Sequence, residues 1–193
     1  INKVINISKI NFKYIDLGGG MGISYSNKEK KLNLSQYAKI VERFVKNKKI
    51  KIIFEPGRII VGDTSILITK VIYIKKSNNK YFIILDAGMN DLMRPALYSA
   101  HHEIIPLKKN TKKISGNIEF VGPVCESSDK FSNKKNFPKI NEGDYVAITN
   151  VGAYGMSLAS NYNARPIIAE ILVDGSTHKL IKKRQSLENL INS

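Results

Sequence analysis

The first third of the chain alternates short apolar runs with one amphipathic segment. Residues 12–17 form an apolar run that ends in a glycine cluster, which predicts a buried strand followed by a flexible turn. Residues 34–45 carry apolar side chains at helical spacing after Asn33, a plausible helix N-cap. Residues 51–54 predict a second short buried strand. This β-loop-α-β order is the repeating unit of a parallel α/β fold.

After about Thr64 the pattern becomes rich in β-forming residues. Strands are predicted at residues 66–74, 81–85, 118–124, 145–151 and 165–173. Polar segments predict a hairpin-like connection at 75–80, a loop at 129–138 and a turn at 141–144, and residues 186–191 predict a short terminal helix. We therefore expect an α/β unit over residues 1–64 and an all-β domain over residues 65–193.

Composition and charge narrow the class of protein. The chain has 193 residues and is 42% hydrophobic, enough for a sizeable core. No apolar run reaches the roughly 20 residues of a membrane helix, and the N-terminus does not resemble a signal peptide. The formal charge of +15 comes mostly from lysines spread along the whole chain, which favours a solvated surface over a nucleic-acid partner. The single cysteine, Cys125, predicts a reducing, cytoplasmic setting.

Two segments that follow the predicted strands of the first unit carry candidate binding groups. Gly18, Gly19 and Gly20 would let backbone N–H groups approach an anion such as phosphate, although an ordinary tight turn explains them as well. The dinucleotide and P-loop fingerprints are both absent. Glu55 could hold a heteroaromatic nitrogen protonated, and Arg58 could bind a carboxylate or a phosphate. A surface Glu–Arg pair is the simpler alternative.

The second half of the chain adds three further candidates. Cys125 follows a predicted strand and has acidic neighbours, which favour a protonated thiol and suit a proton donor better than a nucleophile. Tyr154 lies between small residues, where its hydroxyl could reach a ligand. A buried cysteine and a core tyrosine are the corresponding structural alternatives. His101 and His102 are adjacent and would point in different directions, so we expect no metal site there.

Taken in order, these motifs resemble those of the alanine-racemase-like class of pyridoxal-phosphate decarboxylases. The motifs are G-G-G-M-G at 18–22, E-P-G-R at 55–58, L-D-A-G-M-N-D-L-M-R-P-A-L-Y at 85–98, G-P-V-C-E-S-S-D at 122–129 and V-G-A-Y-G at 151–155. The motif at 85–98, together with Cys125 and Glu126, is most similar to the diaminopimelate decarboxylase family. The resemblance implies the terminal part of a TIM barrel over residues 1–64, followed by a β-barrel or sandwich domain over residues 65–193.

The resemblance also implies a pyridoxal 5'-phosphate cofactor and a role for each candidate. Residues expected to contact the cofactor are Gly18, Gly19, Gly20, Glu55, Gly57, Arg58 and Tyr154. Residues expected to bind the substrate are Arg58, Arg94, Tyr98, Glu126 and Tyr154. Cys125 would be catalytic, returning a proton to the substrate carbon after carbon dioxide leaves. Because Cys125 and Glu126 would serve the neighbouring subunit's site, a homodimer with shared active sites is implied.

The implied reaction is decarboxylation of meso-2,6-diaminopimelate to L-lysine, the last step of lysine biosynthesis. The chain departs from the family pattern in one respect, since none of its lysines matches the motif of the cofactor-bearing lysine. We therefore expect that the N-terminal half of the enzyme is absent from this chain and that the isolated segment is inactive. Two alternatives remain open: a catalytically inactive partner or regulatory subunit, and a decarboxylase for ornithine, arginine or a carboxylated polyamine.

Overall fold

The computed structural model describes residues 1–8, 10–26 and 29–192. The first unit contains helix α1 (Asn2–Ser8), strand β1 (Tyr14–Asp16), helix α2 (Leu34–Val45), strand β2 (Lys51–Ile53) and the single-turn helix α3 (Arg58–Val61). Strands β1 and β2 pair in parallel, as predicted. Helix α2 has the predicted bounds, and the Asn33 side chain caps it by accepting a hydrogen bond from the N–H of Gln36 at 2.9 Å. Helix α1 was not predicted.

The second unit is built on a six-stranded, nearly closed, barrel-like sheet. Its strands are β3 (Leu67–Ser77), β4 (Lys80–Leu85), β5 (Ile104–Pro106), β6 (Lys113–Val121), β7 (Lys130–Pro138) and β8 (Tyr145–Ile148). The spatial order is β5-β8-β3-β4-β6-β7, and all neighbours are antiparallel except β4 and β6. The short helix α4 (Arg94–Tyr98) lies in the connection between β4 and β5.

The core of the second unit lies inside this curved sheet. Its largest fully buried side chains include Phe120, Ile83 and Leu85. Phe120 on β6 packs edge-on against Phe137 on β7, with ring centroids 4.9 Å apart. The long strand β3 serves both halves of the sheet, because its first residues pair with β8 and its later residues pair with β4. This packing fixes the connections that carry the candidate site residues.

The structure corrects several sequence-based predictions. The segment at 129–138, predicted as a polar loop, contains strand β7, because Phe131 and Phe137 are buried in the core and its backbone pairs with β6. The strand predicted at 165–173 begins at Glu170 as β9 (Glu170–Asp174), which pairs with the unpredicted β10 (Thr177–Lys182) in an exposed hairpin. The terminal helix α5 (Leu187–Ile191) is confirmed. None of the described helices combines the length and the apolar character needed to cross a membrane.

Candidate active site

The loops that follow β1 and β2 lie against each other at the carboxyl ends of the two parallel strands. The N–H of Leu17 donates to the carbonyl of Ile53 at 3.0 Å, and the N–H of Glu55 donates to the carbonyl of Gly18 at 2.9 Å. A Cβ atom on Gly19 would lie only 2.5 Å from the carbonyl oxygen of Glu55, so this close approach requires glycine. The two predicted cofactor-binding segments are therefore joined by main-chain contacts.

The loop that carries Tyr154 closes on helix α3. The N–H of Gly152 donates to the carbonyl of Gly62 at 3.2 Å. A Cβ atom on Gly152 would lie 1.8 Å from the carbonyl oxygen of Val61, so no larger residue fits without moving the backbone. An open cleft of about 210 Å³ lies between the loop and the helix, lined by Gly57, Arg58, Val61, Gly152, Ala153, Tyr154 and Ser157.

Two arginines lie close to the ring of Tyr154. The guanidinium carbon of Arg58 lies 5.6 Å from the ring centroid, and that of Arg94 lies 6.0 Å from it. Tyr154 has a left-handed backbone conformation, with φ at 62°, and its side chain is about half exposed. Two cations beside one exposed phenol form a group that can bind an anion such as a carboxylate.

The side chain of Arg94 forms a hydrogen bond with His102, a contact that the sequence did not indicate. The Nη1 of Arg94 lies 2.9 Å from the Nε2 of His102, and the Nδ1 of His102 lies 2.9 Å from the carbonyl oxygen of Thr149. Tyr25 completes the cluster, with its ring 5.0 Å from the guanidinium carbon of Arg94. His101 points elsewhere, with its Nε2 3.5 Å from a carboxylate oxygen of Glu103.

The loop that carries Cys125 is organised by the buried carboxylate of Asp129. One oxygen accepts from the N–H of Val124 at 2.8 Å, and the other accepts from the N–H of Met89 at 2.7 Å. Burial raises the pKa of Asp129 above its ordinary value of 3.8, and the two backbone N–H groups act in the opposite direction. Cys125 itself is exposed and has a free thiol.

Glu126, the neighbour of Cys125, is exposed and has a partner on each oxygen. The hydroxyl of Ser128 donates to Oε1 at 2.7 Å, and the hydroxyl of Tyr162 donates to Oε2. The hydrogen bond from Tyr162, followed by the one from Ser128, lowers the pKa of Glu126 below its ordinary value of 4.5. Glu126 is therefore ionised and held in one orientation.

The predicted site residues fall into two groups within the described part of the chain. The glycine loops, Arg58, Tyr154 and Arg94 are linked to one another by the contacts above. Cys125 and Glu126 form the other, and no described hydrogen bond, ion pair or ring contact joins them to the first. Tyr98 lies at the end of helix α4 with 65% of its surface exposed, although Arg94 at the start of that helix is buried.

Comparison with known proteins defines the family. The family model described as "Pyridoxal-dependent decarboxylase, C-terminal sheet domain" matches residues 8–152 of the sequence. The chain belongs to this family of pyridoxal-dependent decarboxylases. The sheet of the second unit agrees with that assignment.

Relatives of this decarboxylase family cover nearly the whole chain. A diaminopimelate decarboxylase from Aquifex aeolicus is 43% identical over 180 residues, which are 93% of this chain and 42% of the relative. The Helicobacter pylori diaminopimelate decarboxylase is 43% identical over 97% of this chain and 48% of its own length. The chain therefore spans about half the length of these relatives.

Two solved diaminopimelate decarboxylases share the fold. The Helicobacter pylori enzyme complexed with L-lysine superposes with a TM-score of 0.87 at 43% identity, covering 99% of this chain and 47% of that one. The M. jannaschii enzyme in complex with L-lysine gives a TM-score of 0.87 at 36% identity, covering 97% of this chain and 44% of that one. The resemblance inferred from the motifs is confirmed.

The residues of the first group fit the phosphate-bearing cofactor that the family name implies. A Cβ atom on Gly18, Gly20 or Gly57 would meet nothing within 4 Å, so these loops border open space. Backbone N–H groups of such loops are suited to bind phosphate. Glu55, in the loop after β2, is joined to Gly18 through its backbone N–H, and its carboxylate is of the type that could pair with a heteroaromatic nitrogen.

Proposed function

We propose that the protein containing this chain decarboxylates meso-2,6-diaminopimelate to L-lysine and carbon dioxide with pyridoxal 5'-phosphate. The observation that carries the proposal is the pair of guanidinium groups, from Arg58 and Arg94, whose central carbons lie 5.6 Å and 6.0 Å from the Tyr154 ring centroid. Arg58 directly follows Gly57 and lines the same cleft, in a chain 43% identical to diaminopimelate decarboxylases. An amino acid with a second carboxylate is the substrate that such a pair would favour.

The proposed cofactor site uses the two strand-end loops. Gly18, Gly19, Gly20 and Gly57 would surround the phosphate, and Glu55 would pair with the pyridine nitrogen. The bound cofactor supplies the electron sink that decarboxylation requires. Arg58 and Tyr154, which line the cleft beside Gly57, would contact both cofactor and substrate. The lysine that holds the cofactor is expected in the part of the relatives' length that this chain does not span.

The proposed substrate site matches the charges at the distal end of diaminopimelate. Arg58 and Arg94 would bind the distal carboxylate, and the ionised carboxylate of Glu126 would bind the distal ammonium group. Tyr98 would complete this end of the site. A site with paired polar groups rejects a substrate that lacks the matching charge, because its own groups would then remain unpaired. Ornithine has no distal carboxylate and would therefore be a poor substrate.

We assign the proton transfer to Cys125 and the assembly to a homodimer. Cys125 would donate its thiol proton to the substrate carbon that has lost carbon dioxide. Within the described residues no hydrogen bond, ion pair or ring contact joins Cys125 or Glu126 to the arginine pair, and both residues are exposed. Both features support a homodimer in which Cys125 and Glu126 contribute to the active site of the partner subunit. The two shared sites would then be related by a two-fold axis. The single cysteine is consistent with the cytoplasmic location proposed for this enzyme.

A substrate panel tests the proposal directly. The protein translated from the complete gene would be supplied with pyridoxal phosphate and then with diaminopimelate, ornithine, arginine and a carboxylated polyamine. Carbon dioxide and L-lysine should appear from diaminopimelate, with a kcat/KM far above that for the other substrates. A preference for another substrate would contradict the assignment of the arginine pair. No turnover of any substrate would favour a catalytically inactive partner or regulatory subunit.

A further inference from the structure

His102 is the most deeply buried ionisable group beside the proposed substrate site. It has no exposed surface, and Arg94 is only 6% exposed. The ring of His102 lies between the guanidinium of Arg94 and the carbonyl of Thr149, each at 2.9 Å from one ring nitrogen. Both ring nitrogens are thus engaged, and the motifs that identify the family assign no role to this residue.

The two partners fix the protonation state of the ring. A carbonyl oxygen only accepts hydrogen bonds, so the Nδ1 that faces Thr149 carries a proton. A guanidinium group only donates, so the Nε2 that faces Arg94 must accept. His102 is therefore the neutral Nδ1–H tautomer. A protonated ring would place two cations in contact.

Two aromatic rings further restrict the guanidinium of Arg94. Tyr25 lies 5.0 Å from its central carbon and packs edge-on against His102, with ring centroids 5.4 Å apart. Tyr154 lies on the side of the proposed substrate site, 6.0 Å away. One N–H group of Arg94 is used by His102, and a guanidinium group has five. Among the described residues no partner is seen for the other four, which leaves them for a carboxylate.

A neutral acceptor has a specific consequence for anion binding. A carboxylate at position 102 would also orient Arg94, but it would neutralise the guanidinium charge and compete with an anionic substrate. An imidazole accepts the hydrogen bond and leaves the full positive charge. An apolar residue at position 102 would leave the charge of Arg94 intact but would no longer hold its side chain in place. Ordering a mobile guanidinium group when the substrate binds then reduces the binding free energy.

We propose that His102 is a positioning residue that orients Arg94 toward the distal carboxylate of the substrate while preserving its charge. The inference rests on the proposed function, because it concerns the same substrate. His102 acts through Arg94 and takes no part in proton transfer. Its effect therefore falls on substrate and product affinity, and the chemical step is left nearly unchanged.

The test compares three variants of the protein translated from the complete gene. His102→Leu removes the acceptor, and His102→Gln supplies a neutral amide oxygen near the position of Nε2. His101→Leu is the matched control, because its ring is exposed and contacts Glu103 instead of Arg94. For each variant, KM and kcat for diaminopimelate, the inhibition constant of L-lysine and the absorbance of bound pyridoxal phosphate would be measured. L-lysine is informative because it retains the carboxylate that Arg94 is proposed to bind.

His102→Leu should raise both KM and the L-lysine inhibition constant about 10- to 100-fold, with kcat and cofactor occupancy nearly unchanged. His102→Gln should recover most of the affinity, and His101→Leu should match the wild type. A merely structural histidine would instead lower kcat, cofactor occupancy and thermal stability together, without rescue by Gln, and that result would overturn the inference. An active wild type whose His102→Leu variant keeps its KM would also overturn it, and the proposed function would stand. A wild type that does not decarboxylate diaminopimelate would overturn the proposed function, and with it this role of His102.

Discussion

The carboxylate of Asp129 accepts a hydrogen bond from the N–H of Val124, the residue before Cys125, at 2.8 Å. Its second oxygen accepts from the N–H of Met89 at 2.7 Å. One buried side chain thus joins its own connection to that of Met89, a residue 40 positions earlier in the chain. Asp129 therefore holds in place the backbone that directly precedes Cys125.

Asp129→Asn should loosen this junction although the two side chains have the same shape. An amide has one acceptor oxygen, so its NH2 group would face one of the two backbone N–H groups. The cost should be about 1–3 kcal/mol of unfolding free energy, measured by urea denaturation. Amide hydrogen exchange should also accelerate at Met89 or Val124. The exposed Asp63→Asn is the control, and an equal effect in both variants would contradict the role of Asp129.

Gly152→Ala should separate the Tyr154 loop from helix α3. The added methyl group would lie 1.8 Å from the carbonyl oxygen of Val61, so the backbone must move. We expect a loss of at least about 1–3 kcal/mol in unfolding free energy, with weaker substrate binding, since Tyr154 would lose its position beside Arg58. Gly22→Ala is the control, because a Cβ atom there meets nothing within 4 Å. Equal melting temperatures for the two variants would refute the prediction.

Arg94→Ala should reduce kcat/KM for diaminopimelate far more than it reduces affinity for pyridoxal phosphate. Removing one partner of a buried charge pair costs on the order of 2–5 kcal/mol, and Arg94 is buried. Steady-state kinetics and cofactor titration separate the two effects. The exposed Arg184→Ala removes the same charge elsewhere and should behave as the wild type. A wild-type kcat/KM in Arg94→Ala would show that another group binds the distal carboxylate.

Cys125→Ala should slow turnover by about 10²–10⁴-fold, the usual cost of removing a general acid. If the thiol serves the partner's site, mixing this variant with one that lacks the cofactor-bearing lysine should restore activity. Such heterodimers would contain one intact site, made from the lysine of one chain and the cysteine of the other. Heterodimers that form but remain inactive would exclude action of the thiol across the interface.

Stability should fall in mildly acidic solution because of His102. Burial is the largest cause of its lowered pKa, and the charges of Arg94 and His101 act in the same direction, against the Thr149 carbonyl. Because the pKa of His102 is lowered in the folded protein, its contribution to the free energy of unfolding is fully present above the ordinary value of 6.5. This contribution is lost as the pH falls through the folded-state pKa. His102→Gln should remove this part of the pH dependence. Urea denaturation at several pH values would measure the free energy of unfolding. The prediction would be refuted if this free energy changed with pH equally in the wild type and in His102→Gln.

Local sequence determined the elements whose signals are complete within a few residues. Helix α2 needed only its apolar spacing and the Asn33 cap, and the strands before the glycine and Glu55 loops needed only their apolar runs. The family was also fixed by sequence, because its motifs are runs of consecutive residues in a set order. Strand β7 was missed because its two buried phenylalanines are far apart and its pairing with β6 is a tertiary event.

The tertiary structure alone decided which side chains meet. His102 contacts Arg94, which is 8 positions away along the chain, and Thr149, which is 47 positions away. No local pattern encodes either contact. Asp129 owes its importance to the N–H of Met89 in another connection, and Gly152 owes its importance to the carbonyl of Val61 at the end of helix α3. Composition and periodicity describe how each segment folds onto a core. A binding site depends on distances between segments, and those distances exist only after the sheet has curved and its loops have closed.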